Sequence, residues 1–259
     1  MPPSANSRAD LEAMYLSPAE GFRRLADTYD TRLSGNPLLV VEASAALRAL
    51  PGMAGAHIAD IGCGTGRYTF QLARLGAERV TGVDIAPEML ENAVRKARRM
   101  TDLTDVIQWE RGDIYETLPF ADNMLDGVLC GLVLSFLPDL PPAFRELARV
   151  LRSDGWLVIS DYHPHGLCAA RAESLAVGRK DNAPYLRFTS ANGEECRIAQ
   201  TPHTIGDYFE AAREAGLALE HLAEPAADRR LAGTYGAGLH QTLGIPLALA
   251  MRFRKRNSP

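Results

Sequence analysis

The stretch 58-IADIGCGTGR-67 decides the reading of this chain. An apolar run, Ile58 to Ile61, ends in a turn holding Gly62, Gly64 and Gly66. Glycine reaches positive φ without strain and lets a ligand approach the main chain. A helical pattern, Arg67 to Leu75, follows at once, and the free N–H groups of a helix start favour negative charge. Starting from Asp60 the spacing is D-x-G-x-G-x-G. It is not the G-x-G-x-x-G fingerprint, and it lacks the Gly-Lys-Ser/Thr ending of a P-loop.

Outward from the turn, strand and helix patterns alternate. Val80 to Ile85 reads as a strand, Pro87 to Arg99 as a helix and Val106 to Arg111 as a strand. Gly127 to Val133 reads as a buried strand, Pro141 to Leu151 as a helix and Trp156 to Ser160 as another strand. This rhythm predicts an α/β fold, with a mostly parallel sheet covered on both faces. Upstream, helical spacing marks Ala19 to Tyr29 and Leu38 to Leu50, after a polar stretch 1–18 expected to be partly mobile. Downstream the rhythm breaks. Tyr185 to Ser190 and Glu195 to Gln200 read as a β-hairpin joined by Ala-Asn-Gly. A helix, Thr204 to Ala215, ends at Gly216. Leu217 to Leu222 and Leu247 to Phe253 are further strands.

Two acids sharpen the ligand. Asp84 falls at the end of the strand after the turn, where a carboxylate accepts from both hydroxyls of a ribose. Asp113, at the end of the third strand, is placed to meet an adenine amino group, with Ile114 beside the ring; a plain helix cap is the other reading of Asp113. Asp161, Tyr162, His163 and His165 follow a strand end, where acceptor sites of open α/β sheets lie. His163 is the candidate to orient an acceptor or take its proton, because imidazole titrates near neutrality. A loop histidine bonded to backbone is the alternative. His203 has two readings, a helix cap or a cavity wall. Arg67 reads as the start of a solvated helix face.

The 259 residues carry a net charge of −4, which argues against a broad nucleic-acid surface. Cys63, Cys130, Cys168 and Cys196 form no CxxC pair and read as reduced thiols, and no metal site is expected. No apolar stretch suggests a membrane span or signal peptide, so a cytoplasmic protein is expected. A small-molecule partner is expected, without nucleic acid or membrane, in a monomer or homodimer.

Asp60-Ile-Gly-Cys-Gly-Thr-Gly66, Gly82-Val-Asp84, Gly112-Asp113, Leu118-Pro-Phe120, the Asp126–Leu134 segment and Leu151-Arg-Ser-Asp-Gly-Trp156 together resemble class I S-adenosylmethionine-dependent methyltransferases. The similarity is to the type 11 small-molecule subgroup, including enzymes of quinone and secondary-metabolite pathways. It covers about residues 20–165. It implies a Rossmann-like, doubly wound, seven-stranded sheet with one antiparallel strand near an edge. It also implies a single domain: a helical lid at 1–50, a cofactor core at 51–165, an insertion over the acceptor at 166–203, and a closing segment at 204–259.

The resemblance further implies roles. Gly62, Gly64 and Gly66 face the methionine part of the cofactor, with Asp60 supporting its amino group. Asp84 binds the ribose, Ile85 and Met89 pack on adenine, and Asp113 meets its amino group. Cys130, Gly131 and Leu132 form the floor near the sulfonium. Tyr29 touches the cofactor or packs the lid, and Ile85 and Met89 have a core reading too. The acceptor is a small molecule methylated at oxygen, nitrogen or carbon. A non-methylating enzyme of the same fold, or a non-catalytic cofactor-binding protein, is the alternative.

Overall fold

The structure is a computed structural model that describes residues 14–33, 36–164, 177–180, 183–226, 228–235 and 243–256. Cys168 and His165 lie outside the described residues, as do 1–13 of the N-terminal segment and 165–176 of the insertion. In chain order the strands are β1 Met14–Leu16, β2 His57–Ile61, β3 Arg79–Asp84, β4 Ile107–Arg111, β5 Leu125–Gly131, β6 Leu151–Tyr162, β7 Val177–Lys180, β8 Ala183–Thr189, β9 Glu195–Ala199, β10 Leu217–Ala223 and β11 Ala248–Lys255. The helices are α1 Pro18–Leu25, α2 Tyr29–Leu33, α3 Pro37–Ala49, α4 Arg67–Arg74, α5 Pro87–Ala97, α6 Pro141–Val150, α7 Ile205–Glu214 and α8 Arg229–Tyr235.

Seven strands form the central sheet in the order β10-β11-β6-β5-β2-β3-β4. The pairs from β4 through β6 are parallel. Only β11 runs against its neighbours, β6 and β10. Parallel strands need apolar residues on both faces. The fully buried Val128, Leu129, Val158 and Ile159 supply them. One face packs Phe144 and Leu147 of α6 against Phe253 and Leu125. The other packs Leu72 of α4 against Ile58, Val80 and Trp156.

The order of strands reverses between β2 and β5. Their carboxyl ends therefore part there and leave a crevice. Above that end lies a second sheet of four strands, β1-β9-β8-β7. The expected hairpin is its β8–β9 pair, registered Tyr185 with Ala199.

Two expectations change and a third gains detail. The helix read across Ala19 to Tyr29 is two helices. Ser17 caps α1, accepting from Glu20 N–H at 3.3 Å, and a turn from Thr28 N–H to Leu25 carbonyl ends it. The strand read as Trp156 to Ser160 runs from Leu151 to Tyr162, because Leu151 already pairs with Leu125. The N-terminal stretch is not wholly loose: Met14–Leu16 pairs in parallel with Cys196–Ile198. That contact bridges some 180 residues of chain, and local pattern carries no trace of it.

Candidate active site

The turn after β2 is fastened to β3. Val83 carbonyl accepts from Gly62 and Cys63 N–H at 2.8 and 3.0 Å. Gly62, Gly64 and Gly66 sit at φ of 71°, 54° and 89°. A Cβ on Gly62 would also lie 2.1 Å from Val133 Cγ2. The turn thus needs glycine for its backbone and for its fit.

Asp84 closes the same junction from below. Its Oδ2 accepts from Gly64 N–H at 2.7 Å and its Oδ1 from Ala86 N–H at 2.9 Å. Each oxygen keeps a further lone pair for another donor. Burial pushes its carboxyl above the usual aspartate value, while those backbone N–H groups pull it back.

A cavity of about 710 Å³, its mouth included, opens at these carboxyl ends. Its walls gather ten of the residues singled out in the sequence. Gly62 and Gly64 come from the turn, and Asp84, Ile85 and Met89 from β3 and α5. Asp113 and Ile114 follow β4, Gly131 and Leu132 end β5, and Tyr29 starts α2. Leu132 holds φ of 59°, a conformation strained for a branched side chain. Its N–H donates to Ser160 carbonyl at 2.7 Å. Tyr29 lies over the turn, where a Cβ on Gly64 would meet its ring at 3.5 Å. Burial raises its hydroxyl to about 12, so it stays protonated. Asp113 accepts from Tyr115 N–H at 2.9 Å, a local turn that fixes its carboxylate.

Five singled-out residues stand elsewhere. Asp60 is buried behind the turn, accepting from Thr69 hydroxyl at 2.6 Å. Burial raises its carboxyl to about 7. Gly66 begins α4, and a Cβ there would strike Trp109 and Phe70. Cys130 is fully buried with Val128 and Leu157, where burial pushes its thiol up. His163 does not line the cavity. Its Nε2 pairs with Glu224 at 2.8 Å, and its N–H donates to Leu247 carbonyl. His203 neither caps α7 nor lines the cavity. Thr204 caps that helix with Asp207, and His203 Nε2 bonds Leu137 carbonyl at 2.9 Å.

Sequence reasoning missed two groups. Pro18, Phe136 and Leu137 join the cavity wall beside Phe22 of the expected helical lid, and the Phe22 and Phe136 rings meet edge to face at 5.1 Å. Glu42 of α3 is fully buried and accepts from Tyr68 hydroxyl at 2.5 Å, from Ser160 hydroxyl and from Arg67 at 2.7 Å. Arg67 is therefore an ion-pair partner and not a free surface residue. A lone glutamate amid apolar α3 residues was the one available signal. Among the described lining residues there is no lysine or arginine, and the charged ones are Asp84 and Asp113. Among the described residues no cluster of three or more His, Cys, Asp or Glu is arranged to hold a metal ion. No helix among them is long and apolar enough to cross a membrane.

The sheet order, the antiparallel strand β11 and the crevice form a Rossmann-like fold shared with solved S-adenosylmethionine-dependent methyltransferases. Residues 59–159 match the family model described as a methyltransferase domain. The chain is similar to a solved S-adenosylmethionine-dependent methyltransferase from Mesorhizobium loti. That match has a TM-score of 0.63 at 24% identity, covering 83% of this chain and 97% of the other. It is 35% identical over 153 residues to a demethylmenaquinone methyltransferase of Tropheryma whipplei, covering 57% of this chain and 60% of that protein. It is 29% identical over 248 residues to a biotin biosynthesis bifunctional protein of Cellvibrio japonicus, covering 93% of this chain and 46% of that protein. The chain thus spans less than two thirds of these two curated relatives.

Proposed function

We propose that the chain transfers a methyl group from S-adenosylmethionine to a small-molecule acceptor. The observation that carries this reading is the charge of the cavity. Its wall has two carboxylates and no cation among the described residues. A pyrophosphate would meet repulsion there, and its best partners, arginine and lysine, are missing. A sulfonium with a ribose suits such a wall.

On this reading Asp84 accepts from the ribose hydroxyls with its free lone pairs. Ile85 and Met89 pack on one side of adenine, and Ile114 borders it while Asp113 accepts from its amino group. Gly62 and Gly64 leave room for the methionine part, which Tyr29 covers. Gly131 and Leu132 form the floor near sulfur. Asp60, Gly66 and Cys130 act from behind, holding the turn and β5 in place. The glycine turn, α1 and the second sheet exclude water and align the acceptor. S-adenosylmethionine, when bound, supplies an electrophilic methyl group, and its transfer leaves S-adenosylhomocysteine. His163, held by Glu224 away from the cavity, acts on the acceptor only indirectly, through the segment it anchors.

The curated relatives named for quinone methylation make a quinone-like or secondary-metabolite acceptor the first class to try. The test is calorimetry with S-adenosylhomocysteine. Wild type binds it, and Asp84→Ala weakens binding at least a hundredfold; equal affinity of the two proteins refutes the site. Release of S-adenosylhomocysteine during turnover separates methylation from another reaction on the same fold.

A further inference from the structure

The second sheet turns one face toward α1 and toward Met89 and Phe136, which line the cavity from its other side. Side chains alternate along a strand. On β9, Cys196 and Ile198 point to that face and pack with Leu25 and Phe136. Gln200 is the next residue on the same face. Its N–H donates to Pro184 carbonyl at 3.0 Å, which carries the β8–β9 ladder one step further.

Gln200 is 4% exposed, yet neither its Nε2 nor its Oε1 has a hydrogen-bond partner. A buried amide with both ends unpaired calls for a ligand or an ordered water. Its surroundings point to the first. Thr201 N–H donates to Ser135 carbonyl at 2.7 Å, and His203 holds Leu137 carbonyl. The segment 200–203 is thus fastened along the turn that carries Phe136 and Leu137, two walls of the cavity.

Resting on the methyltransferase reading above, we propose that the Gln200 carboxamide selects the methyl acceptor, and that this acceptor is an uncharged aromatic ring with a hydroxyl on its edge. A carboxamide offers an acceptor and two donors side by side, the complement of a ring hydroxyl. The apolar stripe around it and the Phe22–Phe136 pair suit a flat apolar body. This face of β9 carries no cation, so an acceptor carboxylate would be buried unpaired there. The acceptor enters where Phe22 and Phe136 separate.

The test uses the full chain loaded with S-adenosylhomocysteine and two probes, 1,4-dihydroxynaphthalene under anaerobic conditions and 1,4-dimethoxynaphthalene. Wild type binds the dihydroxy probe at least tenfold tighter. Gln200→Leu and Gln200→Met lose that preference while keeping S-adenosylhomocysteine affinity and melting temperature. A preference retained in both variants, or absent from wild type, overturns the assignment. S-adenosylhomocysteine that fails to bind wild type overturns the methyltransferase reading instead, and the acceptor assignment with it.

Discussion

The carboxyl edge of the central sheet borders the cavity, and the inward face of the second sheet packs behind its walls Phe22, Met89 and Phe136, but the two are built differently. At the edge, acids are held by backbone N–H groups. Asp84 accepts from Gly64 and Ala86, Asp113 from Tyr115, and Asp161 from Ser135 and Tyr162. The second sheet meets α1 through apolar side chains, a glycine contact and an exposed ion pair, and it carries one unpaired buried amide at the end of β9. Backbone-held groups keep their place regardless of ligand. Side-chain contacts between α1 and β9 are the ones that can rearrange to admit one. The edge is therefore the fixed half of the site and the second sheet the adjustable half.

If the edge is fixed by its backbone, Gly62→Ala should be the most damaging change. It forces a Cβ against Val133 and strains φ, at a combined cost of about 4 kcal/mol in denaturant unfolding. Adding Val133→Ala removes the clash but leaves the strain of about 1 kcal/mol. Full recovery would show that the turn is looser than its geometry.

Asp161 tests the same half through pH. Its carboxyl is fully buried and raised by that burial from 3.8 to about 6. Between those values the folded chain keeps a proton that the unfolded chain has released. Stability therefore falls as pH rises through this window. Asp161→Asn cannot titrate. From pH 4 to pH 7 the difference in unfolding free energy should move by roughly 2 kcal/mol in favour of the variant. A pH-independent difference would mean that Asp161 is ionised throughout.

The adjustable half answers more mildly. A Cβ on Gly21 of α1 would meet Ile198 Cγ1 and Cδ1 at 2.3 and 2.4 Å, side-chain atoms that a rotation of Ile198 can move. Gly21→Ala should cost about 1 kcal/mol net, since overpacking outweighs the better helix propensity. In an Ile198→Ala background the same change should stabilise by about 1 kcal/mol. A sign that does not invert would break the assigned contact. Arg24→Ala removes the exposed pair with Glu194 and should leave the melting temperature unchanged at physiological salt.

The same division explains what could be read without coordinates. The alternating strands and helices, the glycine turn, Asp84 and Asp113 obey local rules of period, turn chemistry and strand-end placement. Ten of the residues singled out from them and from the family resemblance meet at one cavity. Glu42 and Phe136 carry no local mark, because each gains its role from partners distant in the chain. His163 sits after β6 as expected, but Glu224, 61 residues on, decides where its ring points.

The sequence by itself determined the class of sheet and the donor end of the site, since 58-IADIGCGTGR-67 states its own backbone needs. Tertiary structure alone decided that β1 joins β9, that Arg67 turns to Glu42, and that Gln200 is buried without a partner. Those are pairings across long loops. Their free energy depends on which surfaces meet, and no short stretch of sequence encodes that.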